Sequence, residues 1–349
     1  MIAFAADLHL SPTIWAELPD MRGDAYNALH QIIDYCLKNK AEALLLGGDI
    51  FDKSKPDSLS VRTFKDEIGR LPKKTRKLAI QGQHDRSSPP WFELVPEVSS
   101  IDGYDPITLN FDGKDHLLYG FDNTHADDVK QKLEALKECD ILMLHQALKS
   151  VMSIEGAWNL DEEWIPDFVK VALLGDLHVE ASVGKCHYSG STHIRSMKEN
   201  PQKSFISVHH SGKKMTVKRH KIHGRPTSIM TIDSPETLDA TVELIETELA
   251  VDSLMLARVS PDVPEAYKRL GDACRERSVH LRIRDLPVLR DDAKLDKPTE
   301  FEVGLEQCLG RVVNREETPE LYSFLLRTLR AADAAEELAA VKNEMGITS

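Results

Sequence analysis

Cysteine, basic charge and long apolar runs are all scarce in this chain of 349 residues, and each shortage narrows what it can be. The five cysteines, Cys36, Cys139, Cys186, Cys274 and Cys308, are scattered and form no CxxC pair. That argues against a disulfide framework and a zinc-thiolate centre, and predicts reduced, mostly buried thiols. No apolar run approaches the roughly 18 residues that a membrane-spanning helix requires, and Met1 to Ala6 is too short and lacks the basic flank of a secretory signal. A soluble, cytoplasmic protein with no membrane partner is expected. Lys and Arg number 44 against 57 Asp and Glu, a formal charge of −13. Bulk charge therefore does not attract polyanions, and any nucleic-acid function must rest on local basic features or bound metal.

What is abundant is alternation. Up to about Ser211, short apolar runs alternate with helical stretches, and several runs end in a polar or glycine-rich turn. Met1 to Ala6 reads as a strand, Ala25 to Lys38 as a helix with Ala28, Ile32, Ile33 and Cys36 near helical period, and Ala43 to Leu46 as a strand ending at Gly47-Gly48-Asp49. Lys77 to Ile80, Leu117 to Tyr119, Ile141 to Leu144 and Val171 to Leu174 repeat the theme. Buried strands with chemistry at their C-terminal ends indicate an α/β layer. Past Gly224-Arg225-Pro226 a second, smaller unit is expected: strand Thr227 to Ile232, a helix opened by Ser234-Pro235-Glu236, strand Leu254 to Val259, helix Pro264 to Arg277 and strand Val279 to Ile283. A linker from Leu286 to Thr299 and two helices, Phe301 to Val313 and one opened at Thr318-Pro319-Glu320 that runs to about Met345, complete the chain.

Five segments rich in metal-ligating residues each follow an apolar run: Asp7-Leu8-His9, Gly48-Asp49-Ile50-Phe51-Asp52, Gly82-Gln83-His84-Asp85, His145, and Gly175-Asp176-Leu177-His178. Singly, each has an ordinary structural reading. Asp49 and Asp52 could be turn formers, His84 and Asp85 a loop pair, and His145 a satisfied core histidine. Together they place several carboxylates, an amide and three or four imidazoles at strand ends that converge on one rim. So many close acids would repel one another, and divalent cations relieve that repulsion. Mixed Asp, His and amide donors suit Mn²⁺ or Fe²⁺, with Zn²⁺ and Mg²⁺ as alternatives, better than Ca²⁺ or a thiolate-seeking ion. Two ions sharing one carboxylate would activate a water and polarise a phosphate.

In this order the five segments resemble the calcineurin-like metallophosphoesterases, whose motifs run Asp-x-His, Gly-Asp-x-x-Asp, Gly-Asn-His-Asp/Glu, His, Gly-His-x-His. Within that superfamily Gly47-Gly48-Asp49-Ile50-Phe51-Asp52 and Tyr188-Ser189-Gly190-Ser191 resemble the SbcD-type nucleases of bacteria and bacteriophages. The resemblance implies a four-layer α/β/β/α sandwich over 1–224, an α+β capping domain over 225–285, a linker over 286–299 and an ATPase-binding helical segment over 300–349. It implies a Mn²⁺-dependent nuclease, exonucleolytic on duplex ends and endonucleolytic on single strands, that processes DNA breaks with an SMC-like ABC ATPase. By the same resemblance Asp7, His9, Asp49 and His178 hold the first ion, Asp49 bridges, and Gln83, His145 and Asp176 complete the second. His84 takes the place of the catalytic histidine, and Asp85 and Asp52 would orient ligands. The nuclease domains of that family dimerise through helices that would fall near Leu59 to Leu71 and Pro90 to Val95, so a homodimer is implied.

Two positions depart from the family pattern. Gln83 stands for an Asn and Asp176 for a His, and both replacements keep a donor atom while changing reach or charge on the same ion. Two basic runs, Lys213, Lys214, Lys218, Arg219, Lys221 and Arg225, and Lys73, Lys74, Arg76 and Lys77, are candidates for DNA contact or simply solvated loops. No aromatic interleaving marks a stacking platform for single strands. A small-molecule phosphodiesterase or phosphatase, and an inactive protein-binding scaffold, remain the alternatives.

Overall fold

The computed structural model describes residues 1–286 apart from 13–17, 19–20, 153–156, 197–198 and 213. All but the first position of the expected linker, the expected helices of 300–349 with their ATPase-docking role, Cys308 and Lys213 lie outside the described residues. The other four cysteines are buried free thiols, as expected.

Strands that bury both faces must be covered on both sides, and this chain does so with two sheets packed against each other. The first sheet runs Lys214–Ile222, Lys203–Ser211, Ile2–Ala5, Ala43–Gly47, Arg76–Ile80, Val98–Ser100. The second runs Ile107–Phe111, Lys114–Phe121, Ile141–His145, Val171–Gly175, Cys186–Tyr188, Ala181–Val183. Alternate residues of each strand point opposite ways. Phe4, Ala43, Leu45, Leu78 and Ile80 therefore meet Leu118, Ile141, Met143, Val171 and Leu173 between the sheets. Ala3, Ala5, Leu44 and Leu46 face the helices Asp24–Lys38 and Ser58–Gly69 through Leu29, Ile32, Phe64 and Ile68. Tyr119, Phe121, Leu142 and Leu144 pack on the far side against Val129 and Leu133 of helix Ala126–Glu134. The result is an α/β/β/α sandwich, as the fold expectation held.

The antiparallel hairpin Lys203–Ser211 and Lys214–Ile222 is not evident from the sequence pattern. Its outer strand is an edge, and Lys214, Lys218 and Lys221 point to solvent, where lysines discourage pairing with another chain. Beyond it Thr227–Ile232, Leu254–Val259 and His280–Asp285 form a parallel sheet. Helices Pro235–Thr247 and Ala266–Arg277 cross over between them, with a core of Ile232, Leu238, Ile245, Met255, Val259 and Leu270. Ser234 caps the first of these helices in a reciprocal capping box with Thr237. Arg225 joins this sheet to the sandwich, bonding Asp24 at 2.8 Å on one side and the carbonyl of Asp252 at 2.7 Å on the other.

Candidate metal centre

The predicted ligands come from both sheets and meet where the C-terminal strand ends of the sandwich adjoin. Asp7 and His9 follow Ile2–Ala5, Asp49 follows Ala43–Gly47, His84 follows Arg76–Ile80, His145 ends its strand, and His178 follows Val171–Gly175. The loops are laced side by side: the Asp7 N–H donates to Gly48 O (3.0 Å) and the His9 N–H to Asp49 O (2.9 Å). Asp7, His9, Asp49 and Asp176 all have positive φ, at 53°, 40°, 50° and 93°. These make up half of the non-glycine residues with that conformation among the described ones, the concentration of backbone strain expected where a site dictates side-chain direction.

Three overlapping clusters result, Asp7 with His9 and His178, His9 with Asp49 and His84, and Asp7 with Asp49 and His145, each with donor atoms within 4.8 Å of one another. One carboxylate oxygen, Asp49 Oδ2, lies 3.5 Å from His9 Nε2 and 3.6 Å from His145 Nε2. His9 Nε2 and His178 Nε2 approach to 3.1 Å, the spacing of adjacent donors around an ion with bonds of about 2.0–2.1 Å. His145 donates its Nδ1 proton to Gly47 O (2.7 Å), so Nε2, buried and without a hydrogen-bond partner, is the nitrogen that can offer a lone pair to a cation once its own proton is displaced. Unpartnered buried imidazole nitrogen among carboxylates costs free energy, and a pair of divalent ions suits this donor set.

Glycine makes this approach possible. A Cβ on Gly48 would lie 2.3 Å from His145 Nδ1, one on Gly82 2.1 Å from Asp49 Oδ1, and one on Gly175 2.3 Å from Gly47 O and 2.5 Å from His145 Nδ1. Gly175→Ala should therefore push His145 off its strand end and destabilise the fold by about 1–3 kcal/mol. Denaturant unfolding with chelator present would check the stability loss, and metal analysis the loss of an ion.

Electrostatics agree with a site built for cations. Burial, helped by the charges of Asp49 and Asp176 and opposed by His145 and His178, pushes the Asp7 carboxyl up to about 7. Burial opposes protonation of His145, but the carboxylates of Asp49, Asp7 and Asp176 overcome it and lift its pKa to about 10. Burial, then the positive charge of Arg195 and the neighbouring imidazoles, holds His9 well below the usual histidine range. Without metal the cluster thus holds protons at neutral pH that a cation must displace, because ligands bind deprotonated. Metal binding near pH 7 should release at least one proton, and affinity should weaken as pH falls through 7. Titration calorimetry in buffers of different ionisation enthalpy measures that release, and equal heats across buffers would contradict it.

The remaining predicted residues lie near this centre, and Asp176, a predicted ligand, belongs to none of the three clusters. His84 donates its backbone N–H to Asp49 Oδ1 (2.8 Å), its ring Nδ1 contacts Asp52 O (2.6 Å), and Nε2 stands 4.0 Å from Asp49 Oδ2. Asp52 Oδ1 lies 3.6 Å from His9 Nδ1, beyond hydrogen-bond length, and is bound by the Arg195 guanidinium. Asp85 is buried away from the reacting side, accepting from the backbone of Ile50 (3.1 Å), Phe51 (3.1 Å) and Gly82 (3.2 Å). It ties two ligand loops together and orients backbone instead of a ligand side chain. Gln83 and Asp176, the two departures, bond each other through the Gln83 amide and Asp176 Oδ1 at 2.6 Å. They stand on the open side of the cluster, where Asp176 also donates its N–H to Asp7.

Sequence reasoning missed Arg195, Glu199, Lys203 and Asn123. Asn123 donates to His145 O at 2.8 Å. Arg195 meets Asp52 across 143 residues, and Glu199 and Asn123 meet His178 and His145 across 21 and 22, so no local spacing flags them, whereas Lys203 stands four residues from its partner Glu199. The basic runs also need correcting. Lys77 is buried with its ammonium on Pro72 O (3.0 Å), Arg219 turns inward to Tyr188 O (2.8 Å), and Arg225 is consumed at the junction. Neither run is a continuous basic patch, and what faces solvent on the first, from Lys214 to Lys221, is an edge strand and not a loop.

A model of the calcineurin-like phosphoesterase family matches residues 1–180, which carry all five ligand segments. The chain belongs to that family. Among curated proteins this calcineurin-like phosphoesterase is similar to the DNA double-strand break repair protein Mre11 of Nanoarchaeum equitans, 28% identical over 240 residues, covering 59% of this chain and 65% of the relative. The protein of that name from Thermoplasma acidophilum is 28% identical over 202 residues (52% and 54%), and that from Methanocaldococcus jannaschii 26% over 213 (56% and 57%). The chain thus spans between half and two thirds of the length of these relatives. No helix among the described residues is long and apolar enough to cross a membrane.

Proposed function

We propose that this protein is a metal-dependent DNA nuclease subunit, acting with Mn²⁺ as an exonuclease on duplex ends and an endonuclease on single strands, together with an SMC-like ABC ATPase. The observation that carries the reading is Asp49 Oδ2 set between His9 Nε2 and His145 Nε2 at 3.5 and 3.6 Å. A carboxylate oxygen flanked by imidazoles from two different sheets suits an ion on each side. In this reading Asp7, His9, Asp49 and His178 hold one ion, and Asp49, His145, Asp176 and Gln83 hold the other. The similarity to break-repair proteins over the phosphoesterase region supports DNA as substrate.

When bound, the ions supply an activated water and neutralise charge on the phosphate. The chain supplies the rest. His84, with Nδ1–H donated to Asp52 O, keeps a fixed ring whose Nε2 faces the cluster, and its imidazolium can protonate or stabilise the leaving oxygen. Its side chain is 41% exposed, so a polymeric substrate can reach it. The cleft beside it is lined by Asp52, Lys53, Ser54, Lys55, Gln83, His84 and Arg195. Lys53 and Lys55 bring positive charge to a phosphate backbone approaching a chain of net charge −13. Residues 1–224 would form the nuclease domain, 225–285 the cap, and 300–349 the ATPase-binding segment, with a homodimer as the working unit.

A cleavage assay on duplex and single-stranded DNA with Mn²⁺, Mg²⁺ or chelator, with and without the ATPase, tests the proposal. Cleavage with Mn²⁺ that chelator abolishes is expected. Hydrolysis of an aryl phosphodiester with none of DNA, even with the ATPase, would select a small-molecule phosphodiesterase. Purification without metal and inactivity on both would select the scaffold.

A further inference from the structure

We infer that Glu199 is a positioning residue for the metal centre, acting through His178. The inference rests on the two-ion reading of that centre and deepens it. His178 turns Nε2 toward His9 Nε2 (3.1 Å) and Asp7 Oδ1 (3.9 Å), on the ion side, and Nδ1 toward Glu199 Oε1 (3.2 Å). A carboxylate is an acceptor only, so Nδ1 carries the proton it donates to Glu199, and Nε2 is left as the lone pair that a cation needs. Glu199 thereby fixes both the tautomer and the ring direction, and its charge raises the basicity of the nitrogen opposite.

The surroundings of Glu199 hold it ionised in place. Oε2 accepts from Lys203 Nζ (2.6 Å), the Arg195 N–H (3.2 Å) and Ser191 Oγ (3.3 Å), and Lys203 Nζ also reaches Ser191 Oγ (2.8 Å). The side chains of Glu199 and Lys203 are only 10% and 5% exposed. A buried ion pair contributes little stability over an apolar pair of the same size, so stability does not account for it. A carboxylate kept charged behind a histidine does. The same segment fixes other parts of the centre: Ser189 Oγ accepts from the Ala6 N–H (3.2 Å), and Arg195 holds Asp52 behind His9. Ser189, Arg195, Glu199 and Lys203 therefore stand together behind the first ion's ligands.

The test is Mn²⁺ affinity, measured by electron paramagnetic resonance on the full chain without DNA. Glu199→Gln keeps size and an acceptor but removes the charge. Glu199→Leu with Lys203→Met removes the pair without stranding a buried ammonium, so that folding is preserved even if the single variant is damaged. The expected order of affinity for one of the two ions is parent, then Glu199→Gln, then the double variant, with the last lower by about 10–100-fold. In a His178→Ala background the same changes should add no further loss. Affinity within twofold of the parent in the folded double variant, or a loss that persists in full without His178, would overturn the inference. A parent that binds two ions but cleaves no DNA would overturn the proposed function alone, and a parent that binds no Mn²⁺ would overturn both.

Discussion

Asp49→Ala is expected to abolish binding of both ions and to lower phosphodiester hydrolysis by about 10³–10⁵-fold, since an activated water and phosphate neutralisation are worth several kcal/mol. The reason is local. Asp49 faces both His9 and His145 and takes the His84 N–H (2.8 Å), so no other side chain can make up the loss on either side. The fold should tolerate the removal of charge. Burial disfavours the ionised form, and its pKa stays low only because His145 and His84 surround it. Because Asp49 has φ of 50°, alanine adds strain that asparagine avoids. Asp49→Asn is therefore the companion variant, expected to match the loss of metal with a smaller change in unfolding midpoint. Metal analysis of the purified variants decides the matter, and two ions retained in Asp49→Asn would show that the carboxylate is not shared.

His84→Ala should behave in the opposite way, keeping metal nearly intact while turnover falls by about 10²–10⁴-fold. Its ring belongs to the His9–Asp49 cluster only at the periphery, with Nε2 4.0 Å from Asp49 Oδ2 and Nδ1 tied to Asp52 O. The backbone N–H that serves Asp49 survives the substitution. Single-turnover cleavage with metal content measured on the same sample separates the two roles, and undiminished turnover would remove His84 from the chemistry. A leaving group of low pKa should recover much of the lost rate if the histidine supplies a proton.

Much of this site could be read before any coordinates because its ligands stand directly after apolar runs. Ile141 to Leu144 followed by His145, and Val171 to Leu174 followed by Gly175-Asp176, announce both a strand and what it delivers. The helix opened by Ser234-Pro235 was equally visible, since a cap acts within one turn. What stayed hidden depends on distant pairing. Nothing in Ala43 to Leu46 or Ile141 to Leu144 says that they belong to different sheets, because each is apolar on both faces. The hairpin of Lys203–Ser211 and Lys214–Ile222 escaped notice because its strands carry serine, histidine and lysine where an interior strand would carry valine. Glu199 and Arg195 escaped for the same reason as the sheet order: each works on a loop contributed by another part of the chain.

The three glycines closed around Asp49 and His145 divide the site into a side that can vary and a side that cannot. Gly48, Gly82 and Gly175 leave no volume for even a methyl group, and the atoms opposite them are backbone or the ligands themselves. Gln83 lines the open cleft, and half-buried Asp176 is bonded to its amide, so these two positions are not closed in by backbone on every side. Drift in metal preference across descendants of such a sequence is thereby channelled to those two outer positions, and a library meant to retune the ion should diversify there while leaving the glycine lining untouched.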